Sequence, residues 1–177
     1  ANLNCVAIGI DTMRLGTGNL QMNTAVGAFA LRSVRPNAGL YFGFEAYYNT
    51  AIGAGALQNT QNSGYNVAIG SAALQGKAGT FSPATQIVQN VVAIGKQAGQ
   101  SAALTYHVKD NVFIGDECAD AKQNGNGNTY VGSQIVGGGT SAGGIYNETI
   151  IGNATTGTGT RTVNLGNTDV LFIRGEV

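Results

Sequence analysis

Asn66-Val67-Ala68-Ile69-Gly70-Ser71-Ala72-Ala73-Leu74 is the stretch on which the fold turns. It opens on a turn-favouring residue, runs through a short β-branched segment and closes on glycine. A small residue stands three places past the glycine and a leucine four places past it. Its first five positions recur as Asn23-Thr24-Ala25-Val26-Gly27, Asn49-Thr50-Ala51-Ile52-Gly53, Asn111-Val112-Phe113-Ile114-Gly115 and Asn128-Thr129-Tyr130-Val131-Gly132. Further copies carry the asparagine one place earlier: Asn4 before Cys5-Val6-Ala7-Ile8-Gly9, Asn90 before Val91-Val92-Ala93-Ile94-Gly95, and Asn147 before Glu148-Thr149-Ile150-Ile151-Gly152. Degenerate copies end at Gly43 and Gly166. Self-similarity of this kind marks stacked units, none of which buries its apolar face alone.

Alternation inside the unit says what each strand does. Counting back from the glycine, the first and third residues share one face and the middle residue points the other way. The first and third are β-branched or apolar, as in Ile69 and Val67; the middle is Ala7, Ala25, Ala51, Ala68 or Ala93, then Phe113, Tyr130 and Ile150. The reading adopted places the β-branched pair inside a coil and turns the small middle residue toward a close neighbour, another chain. A second short strand is expected after each glycine, carrying Ala30-Leu31, Ala46-Tyr47, Ala56-Leu57 and Ala73-Leu74. Two short strands and two turns make one rung, so the fold class expected is all-β: parallel β-roll or β-solenoid rungs with variable loops.

Composition agrees. Only 10% of residues are charged, against about 25% in an average domain. The 28 glycines, set against 2 prolines, suit stacked turns that need positive φ. Recurrent Val, Ile and Leu argue against a disordered linker. Formal net charge is zero, which gives no electrostatic reason to bind nucleic acid. No apolar run approaches the roughly 20 residues of a membrane helix. Cys5 and Cys118 belong to no disulfide-rich framework and are expected to be unpaired.

Rung spacing is uneven. Successive repeat glycines stand between 10 residues (Gly43 to Gly53) and 25 residues (Gly70 to Gly95) apart. The surplus must leave as loops, with 32–39, 75–89, 99–110 and 133–146 the longest candidates. Variable loops on a rigid scaffold are where binding usually resides. A thin roll also buries little surface for its size. A flank that is apolar at every rung invites closed association, and fibre geometry favours three chains. On this reading Ala25, Ala51, Ala68, Ala93, Phe113, Tyr130 and Ile150 line a trimer interface. The alternative is a monomeric solenoid whose alanines only fill tight turns.

Units such as Asn49-Thr50-Ala51-Ile52-Gly53-Ala54-Gly55-Ala56-Leu57 resemble the head repeats of YadA-like trimeric autotransporter adhesins, and equally the repeats of phage tail fibres. The stretch from Thr162 to Val177, with Val163-Asn164-Leu165-Gly166-Asn167-Thr168 at its start, resembles the segment that precedes a self-cleaving intramolecular chaperone in tail fibres and tailspikes. The loops depart from the regular head repeat and favour a fibre tip. The resemblance implies a repetitive head or tip over 1–160, a junction segment over 161–177, and an elongated homotrimer on a virion or extracellular surface. It also implies an upstream fibre shaft, a C-terminal intramolecular chaperone during assembly, and a cell-surface glycan or other receptor as partners.

Chemistry is sparse. His107 is the single histidine, so one chain cannot supply a two-histidine metal site. Asp110, Asp116 and Asp120 suit a hard cation in type, but a solvated face explains them better. The glycine-rich 137–144 lacks the Lys-Ser/Thr ending of a phosphate loop. No catalytic residue, cofactor or metal is expected. The aromatics carry more: Tyr47, Tyr48, Tyr65, Phe81, Tyr106 and Tyr146 fall outside the core strand positions. Aromatic faces beside polar groups suit sugars, and Arg32 and Arg35 suit a carboxylate or phosphate. The candidate binding set is therefore Arg32, Arg35, Tyr47, Tyr48, Phe81, Tyr106, His107 and Tyr146. An ice-binding solenoid, suggested by Thr24, Thr50 and Thr129, needs a regular threonine array that uneven spacing does not promise.

Overall fold

The computed structural model describes residues 2–14, 20–32, 46–60, 63–76, 87–100, 108–119, 125–138 and 144–167. Among them the protein is all-β, without helix. In chain order the first strands are Asn2–Leu3 (β1), Val6–Ile8 (β2), Leu20–Gln21 (β3), Thr24–Val26 (β4) and Thr50–Ile52 (β5). Next come Ser63–Gly64 (β6), Val67–Ile69 (β7), Val88–Gln89 (β8), Val92–Ile94 (β9) and Val108–Lys109 (β10). The last are Val112–Ile114 (β11), Gly125–Asn126 (β12), Thr129–Val131 (β13), Thr149–Ile151 (β14) and Val163–Leu165 (β15).

All pairing is parallel, and each rung passes through two sheets. The three-residue strands build a 9-stranded sheet in the order β15-β14-β13-β11-β9-β7-β5-β4-β2. The two-residue strands build the opposite wall, β12-β10-β8-β6 and β1-β3. Tyr47 bridges the two parts of that wall, pairing with Gln21 on one side and Gly64 on the other. The architecture is solenoid-like, and β15 continues the large sheet by pairing Val163 with Thr149.

The second strand of each rung lies before the asparagine, not after the glycine as the sequence reading expects. The post-glycine segment is a turn, in which two residues take the left-handed conformation, such as Ala72 (φ 56) and Leu74 (φ 51). That geometry keeps Ala73 and Leu74 inside without a strand. Ala46-Tyr47 is in strand geometry because it opens its rung, in the place that Leu20-Gln21 occupies one rung earlier.

The two asparagine spacings turn out to be two different positions. Asn23, Asn49, Asn66, Asn111 and Asn128 are buried at one corner. Asn4, Asn90 and Asn147 stand one place earlier with φ near 55°, where Met22, Tyr48, Tyr65, Asp110 and Arg161 also sit. The buried asparagines form a ladder. Asn66 Nδ2 donates to Asn49 Oδ1 (2.9 Å) and to Val88 O (2.8 Å), while Asn66 Oδ1 accepts from the Val91 amide (3.0 Å). A side chain offering acceptor and donors in one plane therefore ties each corner to the next. Cys5, Val91 and Glu148 take this place where the asparagine is missing.

The core reverses the face assignment made from the sequence. Ala25, Ala51, Ala68, Ala93, Phe113, Tyr130 and Ile150 are enclosed within the chain itself, all at 2% exposure or less. They form the interior of one chain, so these seven side chains are not on its surface. The alanines share one buried cluster with Leu31, Leu57 and Leu74, which enter it from the turns. Where the middle residue grows, its opposite number shrinks: an added Cβ at Gly99 would lie 2.8 Å from Phe113 Cδ2 and 2.9 Å from Leu74 Cδ2. Phe113 then packs on Tyr130 with ring centroids 5.5 Å apart. The glycine at 99 thus leaves the room that the Phe113 ring occupies.

The β-branched residues point outward. Ile8, Ile52, Ile94, Ile114, Ile151 and Val163 are between 37% and 69% exposed. They form two columns running the length of the large sheet, one of Val or Thr and one of Ile, Val or Leu. Register is regular despite the uneven sequence spacing, with Thr24 beside Thr50 and Thr129 beside Thr149. The spacing argument against a threonine array thus fails, but Val67, Val92 and Val112 interrupt that column. Between the described stretches lie 15–19, 33–45, 61–62, 77–86, 101–107, 120–124 and 139–143. The loop candidates 32–39, 75–89 and 99–110 fall largely outside the described residues, whereas 133–146 is described except for 139–143.

Candidate functional site

Tyr47, Tyr48 and Tyr65 come together at one corner of two adjacent rungs. Tyr48 and Tyr65 take the left-handed conformation (φ 57 each) immediately before the buried Asn49 and Asn66. Because Asn49 and Asn66 stack in the ladder, the tyrosines stack with them. Their rings lie parallel to within 5°, with centroids 5.1 Å apart. Tyr47 stands edge-on to both, at 5.7 Å and 85° from Tyr48 and 5.1 Å and 89° from Tyr65. Edge-to-face and offset stacked pairs are the favoured aromatic arrangements. Tyr47 also lies over Gly64, whose added Cβ would meet the ring at 3.5 Å. Each stacked ring gives one face to the other, yet Tyr48 remains 48% and Tyr65 52% exposed.

The same corner on the flanking rungs carries Gln21 and Met22 on one side and Gln89 and Asn90 on the other. The backbone there is already engaged: the Tyr48 amide donates to Gln21 O, the Tyr65 amide to Tyr47 O and the Asn90 amide to Gly64 O. Side chains alone face outward for recognition.

The other candidates do not join this cluster. Tyr146 stands in its rung where Tyr47 stands in its own, preceding Asn147 as Tyr47 precedes Tyr48, but with Gly64, Gln89, Lys109 and Asn126 between. The Arg32 guanidinium lies 4.9 Å from the Phe29 ring centroid, a cation–π contact. Arg35, Phe81, Tyr106 and His107 lie outside the described residues. Tyr65, absent from the candidate set, completes the cluster. Aligning Gly64-Tyr65-Asn66 with Tyr47-Tyr48-Asn49 is the signal that finds it.

Asp110 accepts from Asn90 Nδ2 at 2.8 Å, and Asp116 lies 3.4 Å from Lys96 Nζ. Among the described residues no cluster of His, Cys, Asp and Glu is arranged to hold a metal. No disulfide joins Cys5 and Cys118. No family model, curated protein or solved structure matches this chain.

Proposed function

We propose that this chain is one protomer of a trimeric fibre, in which it forms the receptor-binding tip and attaches to a cell-surface glycan. The observation that carries the assembly is the outward column of Ile8, Ile52, Ile94, Ile114 and Ile151 on the large sheet. A contiguous exposed apolar band along a sheet is the kind of surface that marks an association site. Burying it against copies of itself under cyclic symmetry removes it from solvent at every rung at once. The interface is thus proposed on the β-branched face, opposite to the alanine flank. The support for binding is the uneven spacing of the repeat glycines in the sequence, set against a large sheet that runs on without interruption.

Sedimentation equilibrium tests the assembly. The wild-type chain is expected at three times its monomer mass, and Ile94→Lys with Ile114→Lys at monomer mass; a monomeric wild type sinks the reading. A glycan array tests attachment. Regular register over the whole large sheet favours a second reading, a structural shaft segment. A trimer that binds no glycan would select it.

A further inference from the structure

We infer that the stacked rings of Tyr48 and Tyr65 seat a neutral saccharide, with Tyr47 as the positioning residue behind them. The inference rests on the fibre-tip reading and supplies its ligand class and its site.

The fold does not require tyrosine at this corner. The equivalent left-handed position is held by Asn4, Met22, Asn90, Asp110, Asn147 and Arg161 in other rungs. A bulky aromatic residue is uncommon at positive φ, where Gly, Asn and Asp are preferred. Two successive rungs nonetheless carry one, and a third tyrosine braces both rings at right angles. Both tyrosines directly precede ladder asparagines that are fully buried and bonded to the neighbouring rungs. The platform is therefore pre-organised, and little freedom remains to be lost on binding.

The chemistry at the site selects the ligand. Aromatic faces take the apolar C–H face of a pyranose, and the amides of Gln21, Gln89 and Asn90 along the same corner match its hydroxyls. A polyanion is disfavoured, since among the described residues the nearest cation along the corner is Lys109, which precedes Asp110. An added peptide strand is disfavoured too, because the corner amides already donate within the wall.

The test uses the purified full chain on an array of neutral hexose and N-acetylhexosamine oligosaccharides, with sialylated and sulfated glycans and proline-rich peptides as further arms. Tyr48→Asn and Tyr65→Asn install the residue that the same position holds at Asn4 and Asn90, so folding is preserved; Tyr65→Phe keeps the ring. Wild type is expected to bind neutral sugars, each Asn variant to bind roughly threefold to tenfold more weakly, and Tyr65→Phe to stay within about twofold. Undiminished sugar binding by both Asn variants overturns the site and leaves the fibre-tip reading standing. Binding confined to charged glycans or to peptides overturns the ligand class. Absence of all glycan binding overturns both readings. A shift of the Asn variants to lower mass in sedimentation would place the tyrosines in a contact between chains and overturn the inference.

Discussion

The Tyr130 hydroxyl donates a 2.7 Å hydrogen bond to Glu148 Oε2, and both side chains are completely enclosed. Glu148 stands where most rungs place a ladder asparagine, and its own amide still donates to Asn128 Oδ1 at 2.9 Å. Its carboxylate turns the ladder into a hub. Oε2 also accepts from the Gly138 amide, and Oε1 accepts from the Gly159 amide (2.8 Å), the Thr162 hydroxyl and Asn164 Nδ2. Glu148→Ala takes the acceptor from the buried Tyr130 hydroxyl and from the part-buried Gly138 and Gly159 amides and is expected to lower stability by about 3 kcal/mol, whereas Tyr130→Phe, which removes one donor, costs about 1 kcal/mol. Urea unfolding of the two variants and their double mutant checks both values. Additive losses would show that the pair is not coupled.

The two asparagine positions should respond oppositely to glycine. Asn49→Gly removes the acceptor of the Asn66 amide and the donor to Ser63 O, both in the core, and is expected to cost about 2 kcal/mol or more. Asn90, at φ 56, occupies a conformation that glycine adopts freely. Asn90→Gly loses only an exposed bond to Asp110 and should stay within about 1 kcal/mol of wild type. Equal losses in denaturant melts would refute the distinction.

Gly27→Ala tests the glycine column. Gly27 has φ +132, and an added Cβ would lie 2.6 Å from the Gly53 carbonyl oxygen. Strain and collision with backbone act together, and a loss of roughly 3 kcal/mol or more is expected. Gly55→Asn is the control. Its φ is +68, and its Cβ would meet the flexible tips of Gln75 at 3.0 Å and Gln58 at 3.1 Å, so thermal unfolding should move little.

The thiols differ in reach. Cys118 is enclosed and its Sγ donates to Tyr130 O at 3.4 Å; burial pushes its thiol from 9.0 up to about 11. The unfolded chain releases this proton at lower pH than the folded one. Stability is therefore whole below pH 9 and falls as pH rises from 9 to about 11, by on the order of 2 kcal/mol. Tyr130, raised by burial and then by its bond to Glu148, adds a loss of the same sign. Cys118→Ala should flatten the alkaline slope, and native alkylation should label Cys5 before Cys118. A pH profile unchanged by Cys118→Ala contradicts the assignment.

Much of the fold was legible in residues such as Asn66-Val67-Ala68-Ile69-Gly70. Recurrence marked the rungs, and alternation put Val67 and Ile69 on one face with Ala68 on the other. Alternation cannot say which face is inside. A column of alanine and a column of isoleucine are each consistent with a core, and the larger residue was the natural choice. The post-glycine strand was misplaced for a related reason. Leu57 and Leu74 are buried like strand residues, but they reach the interior through positive-φ turns that no hydrophobic period reveals. The tyrosine cluster was half legible: Tyr47 and Tyr48 stood out as neighbours, while Tyr65 joins them only through inter-rung register.

The sequence by itself determined that this chain is a stack of short parallel strands, because asparagine, β-branched run and glycine recur where turn chemistry and pleat demand them. Only the tertiary structure decided which face of the large sheet is inside. It encloses the alanines and sends isoleucine outward, and the stacking of adjacent rungs brings Tyr48 against Tyr65. These outcomes depend on distances between rungs and walls, which are set by how the whole stack packs and not by any one repeat.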